Sequence, residues 1–109
     1  WDPKRYLPKK NEPARVEGLT TVTYDLVGRT DVYLDVPAYL CMGQGVVVIR
    51  VAVGQNGSMR KAEIDEAHTR ADDCMRENAL SSAQRARFDA SSSAADPQRG
   101  TMTYIFLAQ

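Results

Sequence analysis

The strongest constraint in this chain is Gly45-Val46-Val47-Val48-Ile49-Arg50-Val51-Ala52-Val53, followed at once by Gly54-Gln55-Asn56-Gly57 and a more polar run over residues 58–65. An apolar run of that length is too short to cross a membrane as a helix. Its β-branched content is that of a strand covered on at least one face. Asn56-Gly57 supplies the positive-φ residues of a tight reversal, so the two runs read as an antiparallel hairpin. Val47, Ile49, Val51 and Val53 alternate onto one wholly apolar face, whereas Val46, Val48, Arg50 and Ala52 make a second face broken by one charge. In the return strand Ala62 and Ile64 should point inward, with Lys61, Glu63 and Asp65 facing water. The first strand is therefore expected to be central and the second to be an edge.

With 109 residues the chain can build one core and not two. Fourteen basic residues balance fourteen acidic ones, so net charge gives no pull toward nucleic acid or anionic lipid. Residues 1–19 carry Pro3, Pro8 and Pro13 among Lys4, Arg5, Lys9, Lys10 and Arg15. That composition reads as an extended leader or linker ahead of a domain over residues 20–109. The chain shows no signal peptide and no membrane span. It starts at Trp1 and not at methionine, from which an upstream segment is expected to have been removed.

Residues 20–27 alternate, with Val22, Tyr24 and Leu26 on one side, as in a half-buried strand. Gly28-Arg29 breaks it. Residues 31–36 alternate again, with Val32, Leu34 and Val36 apolar, and stop at Pro37. A helix is expected to start near Asp72, with Thr69 or Asp72 as its N-cap and Asp72 and Asp73 at the positive end of its dipole. Met75, Ala79, Ala83 and Ala86, with Leu80 beside them, form its narrow apolar stripe. Phe88 should plug the helix end into the core. Residues 89–100 read as a loop, and Thr101, Met102, Thr103, Tyr104, Ile105, Phe106 and Leu107 as a closing strand beside the central one. The expected fold is α+β: a small antiparallel sheet of hairpin, closing strand and extra N-terminal strand, with one main helix packed on one face.

Reactive chemistry is sparse. The single histidine, His68, sits in a polar loop. With Cys41 and Cys74 it would make three metal ligands, yet neither cysteine has the close partner of a zinc site. A Cys74–His68 nucleophile would gain from the helix N-terminus but lacks an orienting group and an oxyanion hole. No P-loop, dinucleotide turn or HExxH occurs. The reading is non-enzymatic, with no cofactor and no metal. The hairpin brings Cys41 and Cys74 to the same end of the sheet, where a disulfide would add about 3–4 kcal/mol and imply an oxidising compartment. Two separate buried thiols are the alternative.

The hairpin from Gly45 to Met59 resembles the "G-x-V-x-V-x-I-x-V-x-x-x-G-x-V" pattern of TonB C-terminal domains. Ala79-Leu80 through Arg87-Phe88 is similar to that family's "A-L-x-x-x-x-x-x-R-F" signature, and Gly100 to Phe106 to its closing strand. Leu26-Val27-Gly28-Arg29 and Val36-Pro37-Ala38-Tyr39 resemble the "L-x-G-R … P-x-Y" lead-in of TonB-like proteins of the Bacteroidetes. The resemblance implies a periplasmic, cell-envelope domain that transmits force to outer-membrane transporters. Such a domain grips an extended transporter segment as an added strand. By position the gripping border would be Thr101, Met102, Thr103, Tyr104, Ile105, Phe106 and Leu107. Two alternatives stand beside it: an exported module of the same fold that binds another envelope protein or pairs with itself as a homodimer, and a cysteine-dependent enzyme or redox protein.

Overall fold

The computed structural model describes residues 13–17, 20–36 and 43–107. In chain order the elements are β1 (Pro13–Glu17), β2 (Thr20–Asp25), β3 (Asp31–Tyr33), β4 (Gly45–Val53), β5 (Met59–Ile64), helix α1 (Asp73–Arg85), β6 (Arg87–Phe88) and β7 (Gln98–Phe106). A 3-10 turn, Glu66–His68, precedes the helix. The main sheet is antiparallel and runs β1-β2-β7-β4-β5, while β3 and β6 form a separate two-stranded ribbon. The fold is α+β with one main helix packed against the sheet, as the sequence led one to expect.

The hairpin is the organising unit. Gly57 has φ 90°, a value only glycine adopts without strain, and a Cβ there would lie 1.8 Å from the Phe88 carbonyl oxygen. Arg50 pairs with Glu63 and Val51 with Ala62, and the register shifts between Ala52 and Val53. Val47, Ile49, Val51 and Val53 are buried, and Ala62 and Ile64 pack partly buried against them. Each fully buried valine or isoleucine of this set stabilises the fold by about 1.5–3 kcal/mol. Thus β4 is central and β5 lies outermost on its side.

Helix α1 begins where Asp72 caps it, its Oδ1 accepting the Met75 N–H at 3.0 Å. Met75, Ala79 and Ala83 bury the expected stripe, with Leu80 partly buried beside it and Ala86 buried at the C-cap. Phe88 is buried and meets Tyr24 edge-on, ring centroids 4.9 Å apart.

Ser82, missing from that stripe, is also fully buried. Its Oγ donates to the Asp35 carbonyl at 2.8 Å and lies 2.7 Å from the Tyr104 hydroxyl. A serine has one proton to give, so Tyr104 is the donor in the second bond. Burial pushes the Tyr104 phenol well above its ordinary pKa, which keeps that proton in place. Arg85 adds a 2.5 Å bond to the Asp35 carboxylate. These contacts tie residues 34–36 to the helix and to β7.

Two expectations need correction here. Residues 31–36 do not form a full strand: only Asp31–Tyr33 pairs, and its partner is β6. Val32, which shares the apolar side of the alternation with Leu34 and Val36, is 67% exposed, because a ribbon outside the main sheet offers it nothing to pack on, whereas Leu34 is buried. Residues 20–27 shorten to Thr20–Asp25, ended by the turn at Gly28, φ 75°. Within the stretch assigned to the leader, Pro13–Glu17 pairs with β2 as a fifth strand.

Replacing Ser82 by alanine should cost about 1–3 kcal/mol in chemical denaturation, because the Tyr104 hydroxyl is then buried without an acceptor. Adding Tyr104→Phe to that variant should recover part of the loss; two strictly additive losses would contradict the shared bond.

Candidate functional site

The border expected to grip a partner is not a border. Residues 20–25 of β2 pair with β7 from Phe106 back to Thr101, and β4 pairs with the same strand from the other side, Gly45 opposite Phe106 through Arg50 opposite Thr101. Thr101, Met102, Thr103, Tyr104, Ile105 and Phe106 therefore have a strand on each side, and Leu107 follows the last paired residue. The reason is topological: the N-terminal strand, whose alternating pattern does not name its neighbour, occupies the position an incoming strand would take. Val22 and Thr23 of β2 are fully buried, so that strand is part of the core.

Among the described residues the sheet ends at β1 on one side and β5 on the other. The Asp65 N–H donates to the Val48 carbonyl at 2.8 Å. By the alternation of an antiparallel ladder, Glu63 and Lys61 direct their main chain toward β4, while Ala62 and Ile64 direct theirs outward. At its start this border is closed by an isolated bridge between Ser58 and Arg87. Further on it is flanked by exposed Arg60, Lys61 and Glu63, charges that discourage indiscriminate strand pairing. Beyond β5, the β4 edge is completed by Val46 and Arg70, which exchange main-chain bonds of 2.9 and 2.8 Å.

The reactive residues of the sequence have structural partners. His68 is largely exposed, and its Nδ1 lies 2.9 Å from Asp65 Oδ2. The His68 hydrogen bond holds the Asp65 carboxyl below its ordinary pKa. Cys74 lies in the first helical turn, exposed and disulfide-bonded, with the Asn78 amide 3.7 Å from its Sγ. Cys41, its expected partner, falls outside the described residues. Among the described residues no three His, Cys, Asp or Glu side chains are grouped to hold a metal ion. No helix among them is long and apolar enough to cross a membrane.

Arg29 is the residue whose role the sequence concealed. It is buried, and its guanidinium donates to the Gly54 carbonyl at 2.9 Å and the Asp89 carbonyl at 2.8 Å. Its own N–H closes a turn on the Leu26 carbonyl at 3.1 Å. The Leu26-Val27-Gly28-Arg29 motif thus clamps the end of β2 to the hairpin turn and to the chain leaving β6. A basic residue straight after a glycine turn was the available signal.

No family model matches this chain, and no curated protein or solved structure does either. The TonB resemblance therefore stands on its motifs.

Two measurements follow from this geometry. NMR titration should place the Asp65 pKa below that of an unfolded aspartate, and His68→Ala should raise it. Because the folded value is depressed, the pair stabilises the fold above the unfolded pKa. That contribution is lost as pH falls through the folded value; an Asp65 pKa unmoved by His68→Ala would refute the pairing. Non-reducing mass spectrometry should find no free thiol per chain, and two free thiols would refute a Cys41–Cys74 bridge.

Proposed function

We propose that this chain is a non-enzymatic interaction domain of the TonB C-terminal type, acting in the cell envelope, that takes an extended partner segment as an added strand. The observation that carries this reading is the asymmetry of the sheet: β7 is paired on both sides, whereas β5 has main-chain groups at Ala62 and Ile64 directed away from β4, its one neighbour in the sheet among the described residues. The docking border is accordingly assigned to Met59–Ile64. The other border, β1, begins with Pro13, which has no N–H to offer a ladder.

The disulfide at Cys74 supports an oxidising compartment, and hence export to the periplasm. It also leaves no thiolate there for nucleophilic catalysis. Between the two envelope readings, the filled position beside β7 favours a free-standing module over a force transducer. A transducer that grips along residues 101–106 would first have to release β2, with Val22 and Thr23 leaving the core. The partner is an envelope protein with an exposed extended segment, of which an outer-membrane transporter's is one.

The test is an NMR titration of the intact chain with synthetic peptides copying the periplasmic extended segments of outer-membrane transporters from the same cell. Binding should shift residues 59–64 and slow amide exchange at Ala62 and Ile64, leaving residues 101–106 unchanged. Release of β2, with the changes falling along residues 101–106, would refute the assignment; so would silence with every peptide.

A further inference from the structure

The face of the sheet opposite α1 is laid out in rows by the strand register. Arg50 stands between Glu63 of β5 and Thr101 of β7, and Ala52 stands between Lys61 and Arg99. One short side chain between two long ones leaves a trough of about 370 Å³, floored by Ala52 and Thr101 and walled by the four charged residues. All four are exposed. Glu63 is shared, lying 3.5 Å from Arg50 and 3.8 Å from Lys61, and Arg99 makes no ion pair among the described residues. The lining holds three cations and one carboxylate, and Asp25 stands beyond Thr101 in the Arg50 row, so the basic end of the trough is the row of Lys61, Ala52 and Arg99.

We propose that this trough docks an extended acidic segment of a partner protein, at a site separate from the β5 border. Charge complementarity selects the sign of the occupant, and spacing selects its form. Lys61 and Arg99 stand on strands two steps apart, roughly 10 Å at the main chain, which is wide for one phosphate. An extended peptide with acidic residues at alternate positions presents carboxylates about 7 Å apart on one side, within reach of both cations once their flexible arms lean inward. The floor of Ala52 and the Thr101 methyl gives the methylenes of a glutamate an apolar surface, which a bare anion would not use. Pairs this exposed contribute little singly, so the site works through several contacts and weakens with salt.

The test uses the intact, isotope-labelled chain and three probes: an acetylated, amidated peptide of alternating Glu and Gly, its Gln counterpart, and inorganic phosphate. The Glu peptide should give saturable shifts at Arg50, Lys61, Arg99 and Thr101, bind about tenfold more tightly than the Gln peptide, and lose about fivefold in affinity between about 50 and 200 mM salt. Arg99→Glu and Lys61→Glu should each abolish the response while leaving the unfolding midpoint in place. Equal binding of the Gln peptide would overturn the proposal. So would phosphate, or vesicles of an anionic phospholipid, moving these four amides when the Glu peptide does not. Lys61 borders both sites, so the two proposals are told apart elsewhere: the β5 assignment by slowed exchange at Ala62 and Ile64, and the trough by shifts at Arg50, Arg99 and Thr101.

Discussion

Between Thr101 and Phe106 every residue of β7 has a strand on either hand, residues 20–25 on one side and residues 45–50 on the other. An interior strand has its N–H and C=O groups satisfied in both directions, so it can be exposed only at the cost of several hydrogen bonds together. Its inward side chains, Met102, Tyr104 and Phe106, are fully or almost fully buried and face the layer that holds Met75, Ala79 and Ala83. Pairing and packing therefore fix the same strand twice. The hairpin, the helix and the N-terminal strand are each positioned against it or against its neighbour β4.

The connections outside the sheet are held by polar side chains acting on main-chain carbonyls. Arg29 reaches the hairpin turn at Gly54 and the chain at Asp89, and Ser82 holds the Asp35 carbonyl against Tyr104. Both are buried positions where an unmatched polar group would be costly, and in both the partner is a carbonyl that a side chain cannot choose by charge alone. Such clamps fix where β2 ends and where the helix meets the sheet. They account for the LxGR motif without any reactive role. The same architecture leaves the sheet with chemistry at its margins: main-chain groups along β5, and exposed charge on the face away from the helix.

Much of this was legible in the residues. Asn56-Gly57 announced the hairpin, Asp72 offered a cap, and the alanine stripe with Phe88 announced a helix lying close to the sheet. These signals are local: turn chemistry, capping and period each act over a few positions. Strand order is not local. The alternation of Thr21, Val22, Thr23 and Tyr24 reads the same whichever neighbour the strand takes, so the sequence did not show that β2 fills the place beside residues 101–106. The apolar alternation of Val32, Leu34 and Val36 misled for a related reason, since period says which residues share a side but not whether anything covers that side. Ser82 was hidden by its polarity, and Arg29 by looking like a solvated turn residue. The trough is the extreme case, because Arg50, Lys61 and Arg99 come together only through the register of three strands.

The interior position of β7 is the claim on which the assignment of every border depends. Amide hydrogen exchange followed by NMR on the free, intact chain tests it directly. An interior strand protects its amides without interruption, so Met102, Thr103, Tyr104, Ile105 and Phe106 should all exchange at rates set by unfolding of the whole domain. Protection at every second residue of that stretch, with the intervening amides exchanging quickly, is the pattern of an edge and would contradict the account.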